Sequence, residues 1–86
     1  MVSSNKNELS KIFADIDSQK DMEKFFHEIF TPAERNDLAL RWELMKMIHN
    51  KLPQRKIASE LKVSLCKITR GAKILKNNDS ITKKIL

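Results

Sequence analysis

A cluster of cationic side chains between Lys51 and Lys76 could bind phosphate groups. This segment holds eight lysines and arginines against one acid, Glu60, so its net charge is +7, whereas the whole chain carries +6. The net positive charge is therefore concentrated in one segment of an otherwise nearly neutral chain, as a phosphate-binding surface requires. A basic face that is merely solvated is the other interpretation of the same charge.

The apolar residues of this segment predict two short helices joined by a tight turn. Ile57 and Leu61 lie on one helical face, and after a break Ile68 and Leu75 lie on a second. Ser64 precedes the second helix and can cap its first free N–H groups. Two helices joined in this way form a helix-turn-helix, whose second helix enters the DNA major groove with its N-terminal residues at the base edges.

The candidate DNA-binding residues lie along this motif: Gln54, Arg55, Lys62, Leu65, Cys66, Lys67, Thr69, Lys73 and Lys76. Lys62 occupies the turn, where glycine is frequent in such motifs. A left-handed backbone there would cost about 1 kcal/mol, which a phosphate contact could offset; in a slightly different turn, Lys62 would be a plain surface residue. Cys66 is interpreted as a small side chain that faces DNA or the helix interface.

Helical signals also occupy the rest of the chain. Ser18 with Asp21 is typical of a helix start, and Thr31 with Glu34 predicts a capping box, with Pro32 at the first helical position. We predict N-terminal dimerisation helices over 8–30, a central helix over 31–50, the helix-turn-helix over 53–76 and a short C-terminal helix over 79–86, all within one domain, 1–86.

The central helix is apolar around most of its circumference. Two adjoining sides carry the apolar residues Leu38, Leu40, Trp42, Leu44, Met45, Met47 and Ile48. A helix of this kind must be covered on most sides, and a chain of 86 residues has few elements with which to cover it. The pattern therefore predicts an obligate dimer, in which a partner chain supplies the missing surface.

The composition excludes several other classes of protein. A single cysteine, Cys66, excludes an internal disulfide and fits a reducing cytoplasm, and no apolar run is long enough to span a membrane. No nucleophile–base pair, paired carboxylates, phosphate loop or metal-ligand cluster is present in the sequence. We therefore expect a cytoplasmic protein that is not an enzyme and that has no metal, no catalytic residue and no membrane partner.

An ordered set of motifs resembles the tryptophan repressor family between about Phe30 and Lys76. The motifs are Thr31-Pro32-x-Glu34-Arg35, Arg41, Gln54-Arg55 and Ile68-Thr69-Arg70-Gly71. The resemblance implies an all-α fold, a six-helix intertwined homodimer with a helix-turn-helix DNA-binding motif. It also implies that Arg55 reaches a guanine, the commonest specific contact in the major groove. The plainer interpretation of Arg55 is an exposed helix cation.

The same resemblance implies a pocket for L-tryptophan, lined by Thr31, Arg41, Arg70, Gly71 and Ile74. The two arginines would sandwich the indole, and Arg70 with Thr31 would hold the carboxylate, because guanidinium groups stack on aromatic faces and pair with carboxylates. Gly71 would remove a side chain where the ligand approaches. A bound ligand would then shift the population toward the DNA-competent spacing of the recognition helix.

This sequence departs from the family at the implied pocket and at the recognition helix. Ile74 and Lys67 replace a serine and a threonine of the best-known members, and the stretch between Arg41 and Gln54 is one residue shorter. One residue rotates a helix by about 100° unless the connector absorbs the change.

Two alternatives follow from these departures. Arg41 could pair with Glu43 or Glu34 in place of a ligand, and the pocket could be filled by Ile74 and Trp42.

The sequence as a whole predicts a DNA-binding transcriptional repressor whose partners are operator DNA and a second copy of the chain. L-tryptophan is its expected corepressor, and no other cofactor is expected. One alternative is an effector-independent helix-turn-helix DNA binder. A second alternative, from another class, is a helical interaction module whose basic face binds an acidic protein.

Overall fold

The computed structural model describes residues 2–86, and these form six α-helices without a strand. The helices are α1 (Val2–Asp15), α2 (Gln19–Ile29), α3 (Pro32–His49), α4 (Gln54–Leu61), α5 (Leu65–Lys76) and α6 (Ile81–Ile85). The prediction of an all-α chain with six helices is confirmed. The chain divides into two compact units, the residues up to Arg35 and residues 36–86.

Phenylalanine rings join the helices of the first unit. The ring of Phe13 in α1 lies 5.4 Å from that of Phe25 and 6.4 Å from that of Phe30, measured between centroids. Such ring pairs contribute about 0.5–1.5 kcal/mol to stability beyond the contribution from burying their surface area. α1 begins at Val2, whereas the sequence predicted helices only from residue 8. Residues 2–7 are exposed and show no apolar periodicity, so their helix could not be predicted from the sequence.

A capping box begins α3. The Thr31 hydroxyl accepts a hydrogen bond from the Glu34 N–H at 3.2 Å, and the Glu34 carboxylate accepts one from the Thr31 N–H at 2.9 Å. The Thr31 backbone N–H, and after it the Thr31 side chain, lowers the pKa of Glu34. The predicted start of this helix is thus confirmed in its hydrogen bonds.

Arg35 ties the end of α2 to the start of α3. Its guanidinium Nη1 donates to the carbonyl oxygens of His27 at 3.0 Å and Phe30 at 2.6 Å. These carbonyls end α2, where the helix dipole favours a cation. The structure thereby gives Arg35, one residue of the family-like motif, a structural role that its neighbours in sequence do not reveal.

Four apolar residues from three helices form the core of the second unit. Leu44 and Met47 of α3, Ile57 of α4 and Ile68 of α5 are buried, and the two isoleucines are completely so. Burying an isoleucine side chain contributes about 1.5–3 kcal/mol. This core fixes α4 and α5 against α3, and Ser80 caps α6 through the Lys83 N–H at 3.1 Å.

A left-handed lysine ends α3. Lys51 has φ 62°, its N–H donates to the Ile48 carbonyl, and the Leu52 N–H donates to the Met47 carbonyl. These two hydrogen bonds form a Schellman motif, in which glycine is the usual left-handed residue. The reversal directs Leu52 onto the core, so the connector to α4 is set by backbone hydrogen bonds.

None of the helices formed by residues 2–86 is long and apolar enough to cross a membrane.

Candidate functional site

The α4–α5 pair consists of α4, a turn of residues 62–64, and α5. Ile57 and Ile68 lie completely buried on these two helices and hold them together. Lys62 ends α4 with φ 54° and ψ 44°, a left-handed conformation. The sequence left two turns possible here, and the structure has the one with a left-handed lysine. This backbone strain costs about 1 kcal/mol of stability.

The first turn of α5 is capped and exposed. The Ser64 hydroxyl accepts from the Lys67 N–H at 3.4 Å, as predicted. Leu65 is 56% exposed, and Cys66 is a free, exposed thiol. Thr69 donates its hydroxyl proton to the Leu65 carbonyl at 2.9 Å, so that its oxygen can only accept from another molecule.

Cations occupy the exposed faces of the α4–α5 pair. Arg55, Lys73 and Lys76 are exposed, as is Gln54 at the start of α4. No described acid pairs with these three cations, whereas Lys56 lies 3.9 Å from Glu60 within α4. Unpaired, solvated cations are free to contact phosphate groups.

A cavity of about 520 Å³ lies against α3 and α5. It is lined by Asp37, Leu40, Arg41, Leu44, Met45, Val63, Lys67, Arg70, Ile74 and Thr82. Sites for small organic ligands commonly enclose about 300–1,000 Å³ between mostly apolar walls that carry a few polar groups. This cavity has that character, and it brings together Arg41, Arg70 and Ile74 from the predicted ligand-binding set.

An ion pair stands on the cavity wall. Arg41 Nη2 lies 3.0 Å from Asp37 Oδ2, one helical turn earlier in α3. The partners suggested by the sequence, Glu43 and Glu34, are therefore wrong. Glu43 pairs with Lys46 at 2.9 Å, and Glu34 belongs to the capping box. Asp37 was missed by the sequence analysis, although its spacing of four residues from Arg41 is that of an ion pair on a helix.

Ile74 and Lys67 both line the cavity. Ile74 is half-buried there. Trp42 is absent from the lining and 42% exposed. The alternative in which Ile74 and Trp42 together fill the pocket is thus wrong, because Trp42 does not line the cavity. Lys67, predicted to face DNA, adds a cation to the cavity wall.

Gly71 packs against α3. A Cβ atom at this position would lie 2.9 Å from Ile48 Cδ1, 3.0 Å from Leu44 Cδ2 and 3.1 Å from Met45 Sδ. The space that the sequence analysis assigned to a ligand is thus occupied by side chains of α3, and Gly71 allows the close approach of α5 to α3. Thr31, also predicted to hold the ligand, uses its hydroxyl as the cap of α3.

A smaller cleft of about 290 Å³ adjoins the C-terminal end of α5. Its lining shares Arg70 and Ile74 with the cavity and adds Lys73, Asn77 and Ser80. The exposed side chain of Arg70 therefore borders both concave surfaces.

Comparison with known proteins gives a family match over nearly the whole chain. The profile of the family described as Trp repressor protein matches residues 4–86. The chain belongs to the Trp repressor family. The Trp operon repressor homolog of three strains of Xylella fastidiosa is 40% identical over 81 residues, which cover 90% of this chain and 88% of that protein.

A second relative matches over a shorter stretch. The Trp operon repressor homolog of Mannheimia succiniciproducens is 39% identical over 49 residues, which cover 56% of this chain and 48% of that protein. No solved structure matches the chain. Membership of the Trp repressor family makes this chain a transcriptional regulator of the trp operon repressor type. That family consists of regulators and not of enzymes, which confirms the prediction that the chain is not an enzyme.

Proposed function

We propose that this chain is a dimeric repressor that binds operator DNA and is activated by L-tryptophan as corepressor. One observation carries the proposal: Arg70 and Lys67 on α5 line the same cavity as Arg41 on α3. A ligand in this cavity contacts the helix that would read DNA and the helix against which it packs. Ligand occupancy and the position of α5 are thereby linked.

The cavity suits an amino acid with a large apolar side chain. Its apolar wall, which includes Leu40, Leu44 and Val63, offers contact to a hydrophobic body. Arg41 and Arg70 offer guanidinium groups that stack on aromatic rings and pair with carboxylates. Indole and carboxylate occur together in tryptophan, the corepressor of this family.

The exposed face of the α4–α5 pair suits DNA. Arg55 at the start of α4 and the residues of the first turn of α5 are accessible. This accessibility supports a helix-turn-helix in which α5 would enter the major groove. If about six phosphates are neutralised per site, log affinity should fall with log salt at a slope near −5. Operator DNA as the target implies a cytoplasmic location.

Exposed apolar side chains support the proposed dimer. On α3 only Leu44 and Met47 are buried, and Trp42 remains 42% exposed. A second copy of the chain would cover this apolar surface, as the sequence predicts. Sedimentation should give about twice the 10.0 kDa mass of the chain at micromolar concentration. A compact, stably folded monomer would contradict the dimer.

The decisive experiment measures DNA affinity with and without L-tryptophan. Duplexes are first enriched from a random-sequence pool with the protein and L-tryptophan, and their Kd is then measured by fluorescence anisotropy. We expect L-tryptophan to tighten binding by about tenfold, which equals about 1.4 kcal/mol of coupling and requires that DNA tighten tryptophan binding equally. Identical affinities would identify an effector-independent DNA binder, and no binding at low salt would favour an acidic protein partner.

Arg70→Leu separates the ligand response from DNA binding. Arg70 is exposed and lines the cavity, so its loss should remove the tryptophan response while the protein stays folded. Lys76→Ala is the matched control on the same helix, because Lys76 is exposed and lines neither concavity. It should weaken DNA binding for all sequences and keep the response to tryptophan. A full response in Arg70→Leu would contradict the role of Arg70.

A further inference from the structure

Among residues 2–86, Asp37 is the one acidic residue in the lining of the cavity. The charged residues around it are Arg41, Lys67 and Arg70, so the lining carries three cations and a single anion. Such a lining disfavours a purely cationic ligand and favours one that bears a carboxylate.

The geometry of Asp37 leaves part of its carboxylate free. Oδ2 holds Arg41 Nη2 at 3.0 Å, and among the residues 2–86 no hydrogen bond or ion pair occupies Oδ1. The side chain is 41% exposed, and it is positioned by α3, whose next turn supplies Arg41. An ionised carboxylate has acceptor sites on both oxygens, so Oδ1 can bind a further donor without loss of the ion pair.

A zwitterion satisfies this arrangement better than a simple anion. In an α-amino acid the ammonium and carboxylate groups are attached to one carbon atom, so both must be accommodated within a few ångströms. Asp37 and Arg41 present an anion and a cation side by side, and Arg70 supplies a further cation to the same cavity. A ligand without the ammonium group would leave Oδ1 unused and would place its own carboxylate near that of Asp37.

We propose that Asp37 is a specificity-determining residue that accepts a hydrogen bond from the α-ammonium group of the effector through Oδ1. The ion pair with Arg41 holds the carboxylate in place for this contact. The proposal rests on the proposed function, since it takes an amino acid as the ligand of the cavity. It extends that function by naming the group that distinguishes an amino acid from other indole carboxylates.

The test compares L-tryptophan with indolepropionate, which has the same ring and a carboxylate but no ammonium group. Isothermal titration gives both Kd values for the wild-type dimer, for Asp37→Asn and for Glu43→Gln. Glu43 is a matched control, because it also forms an ion pair along α3, with Lys46, but is absent from the cavity lining. Far-UV circular dichroism melts accompany each variant.

We expect Asp37→Asn to weaken the binding of L-tryptophan by about tenfold, the loss typical of a hydrogen bond between charged groups. The affinity for indolepropionate should stay unchanged or increase. Glu43→Gln should change neither. Equal weakening of both ligands would overturn the proposal, because Asp37 would then act only by positioning Arg41. Unchanged L-tryptophan affinity in Asp37→Asn would also overturn it. If neither ligand bound the wild-type protein, the proposed function itself would fail, and the proposal with it.

Discussion

The close approach of α5 to α3 at Gly71 gives a quantitative prediction for Gly71→Ala. The added methyl group would lie 2.9 Å from Ile48 Cδ1 and 3.0 Å from Leu44 Cδ2, both shorter than ordinary carbon contacts. Leu44 is only 5% exposed, so it cannot turn into solvent to make room. Overpacking of this kind costs about 1–3 kcal/mol.

An opposing term comes from helix propensity. Alanine is favoured over glycine by about 1 kcal/mol in a helix interior. Because Leu44 is buried, we expect the overpacking term to be the larger of the two and Gly71→Ala to lower the free energy of unfolding by about 1 kcal/mol. Ala39→Gly, at an exposed position within α3, measures the propensity term in the same protein.

Urea unfolding at one fixed protein concentration is the assay, because the stability of the proposed dimer would depend on concentration. The midpoint should fall for Gly71→Ala without a change in slope. A rise of about 1 kcal/mol in the free energy of unfolding would refute the packing argument, since helix propensity alone would then determine the effect. A variant of unchanged stability that has lost L-tryptophan binding would instead favour the original expectation that Gly71 faces a ligand.

Three further predictions concern the turn, the cap of α3 and the base contact. Lys62→Gly should raise the free energy of unfolding by up to about 1 kcal/mol in urea melts, because it relieves the strain of a left-handed lysine. In anisotropy titrations the same variant should bind all DNA sequences more weakly and to the same extent. Unchanged DNA affinity would show that Lys62 contacts no phosphate. Since the folded-state pKa of Glu34 is lowered, its contribution to stability is present above the ordinary pKa of 4.5 and is lost as pH falls through the lowered value. Glu34→Gln should remove that part of the pH dependence in melts between neutral and acid pH, and an unaltered profile would contradict the capping box. Arg55→Ala should weaken binding to the selected duplex by about 1–3 kcal/mol and relax the base preference of the protein at one base pair per half-site. An equal loss of affinity for random DNA would mean that Arg55 contacts only phosphate.

Local signals in the sequence carried much of the fold. A helix cap is formed by residues three positions apart, so the roles of Ser18, Thr31 and Ser64 could be predicted from their neighbours alone, and each accepts its capping bond in the structure. The concentration of net positive charge in one segment is likewise a property of the sequence. The order of motifs was sufficient to indicate the family.

Only the tertiary structure decided which side chains meet across helices. Asp37 and Arg70 are far apart in the sequence, yet they line the same cavity. Gly71 lies where α5 packs closely against side chains of α3. The sequence left two turns possible at Lys62, and the structure has the left-handed one, between Leu61 and Val63, which both pack against the core. Helical periodicity gives the face on which a residue lies, but contacts between helices depend on how all the faces pack at once.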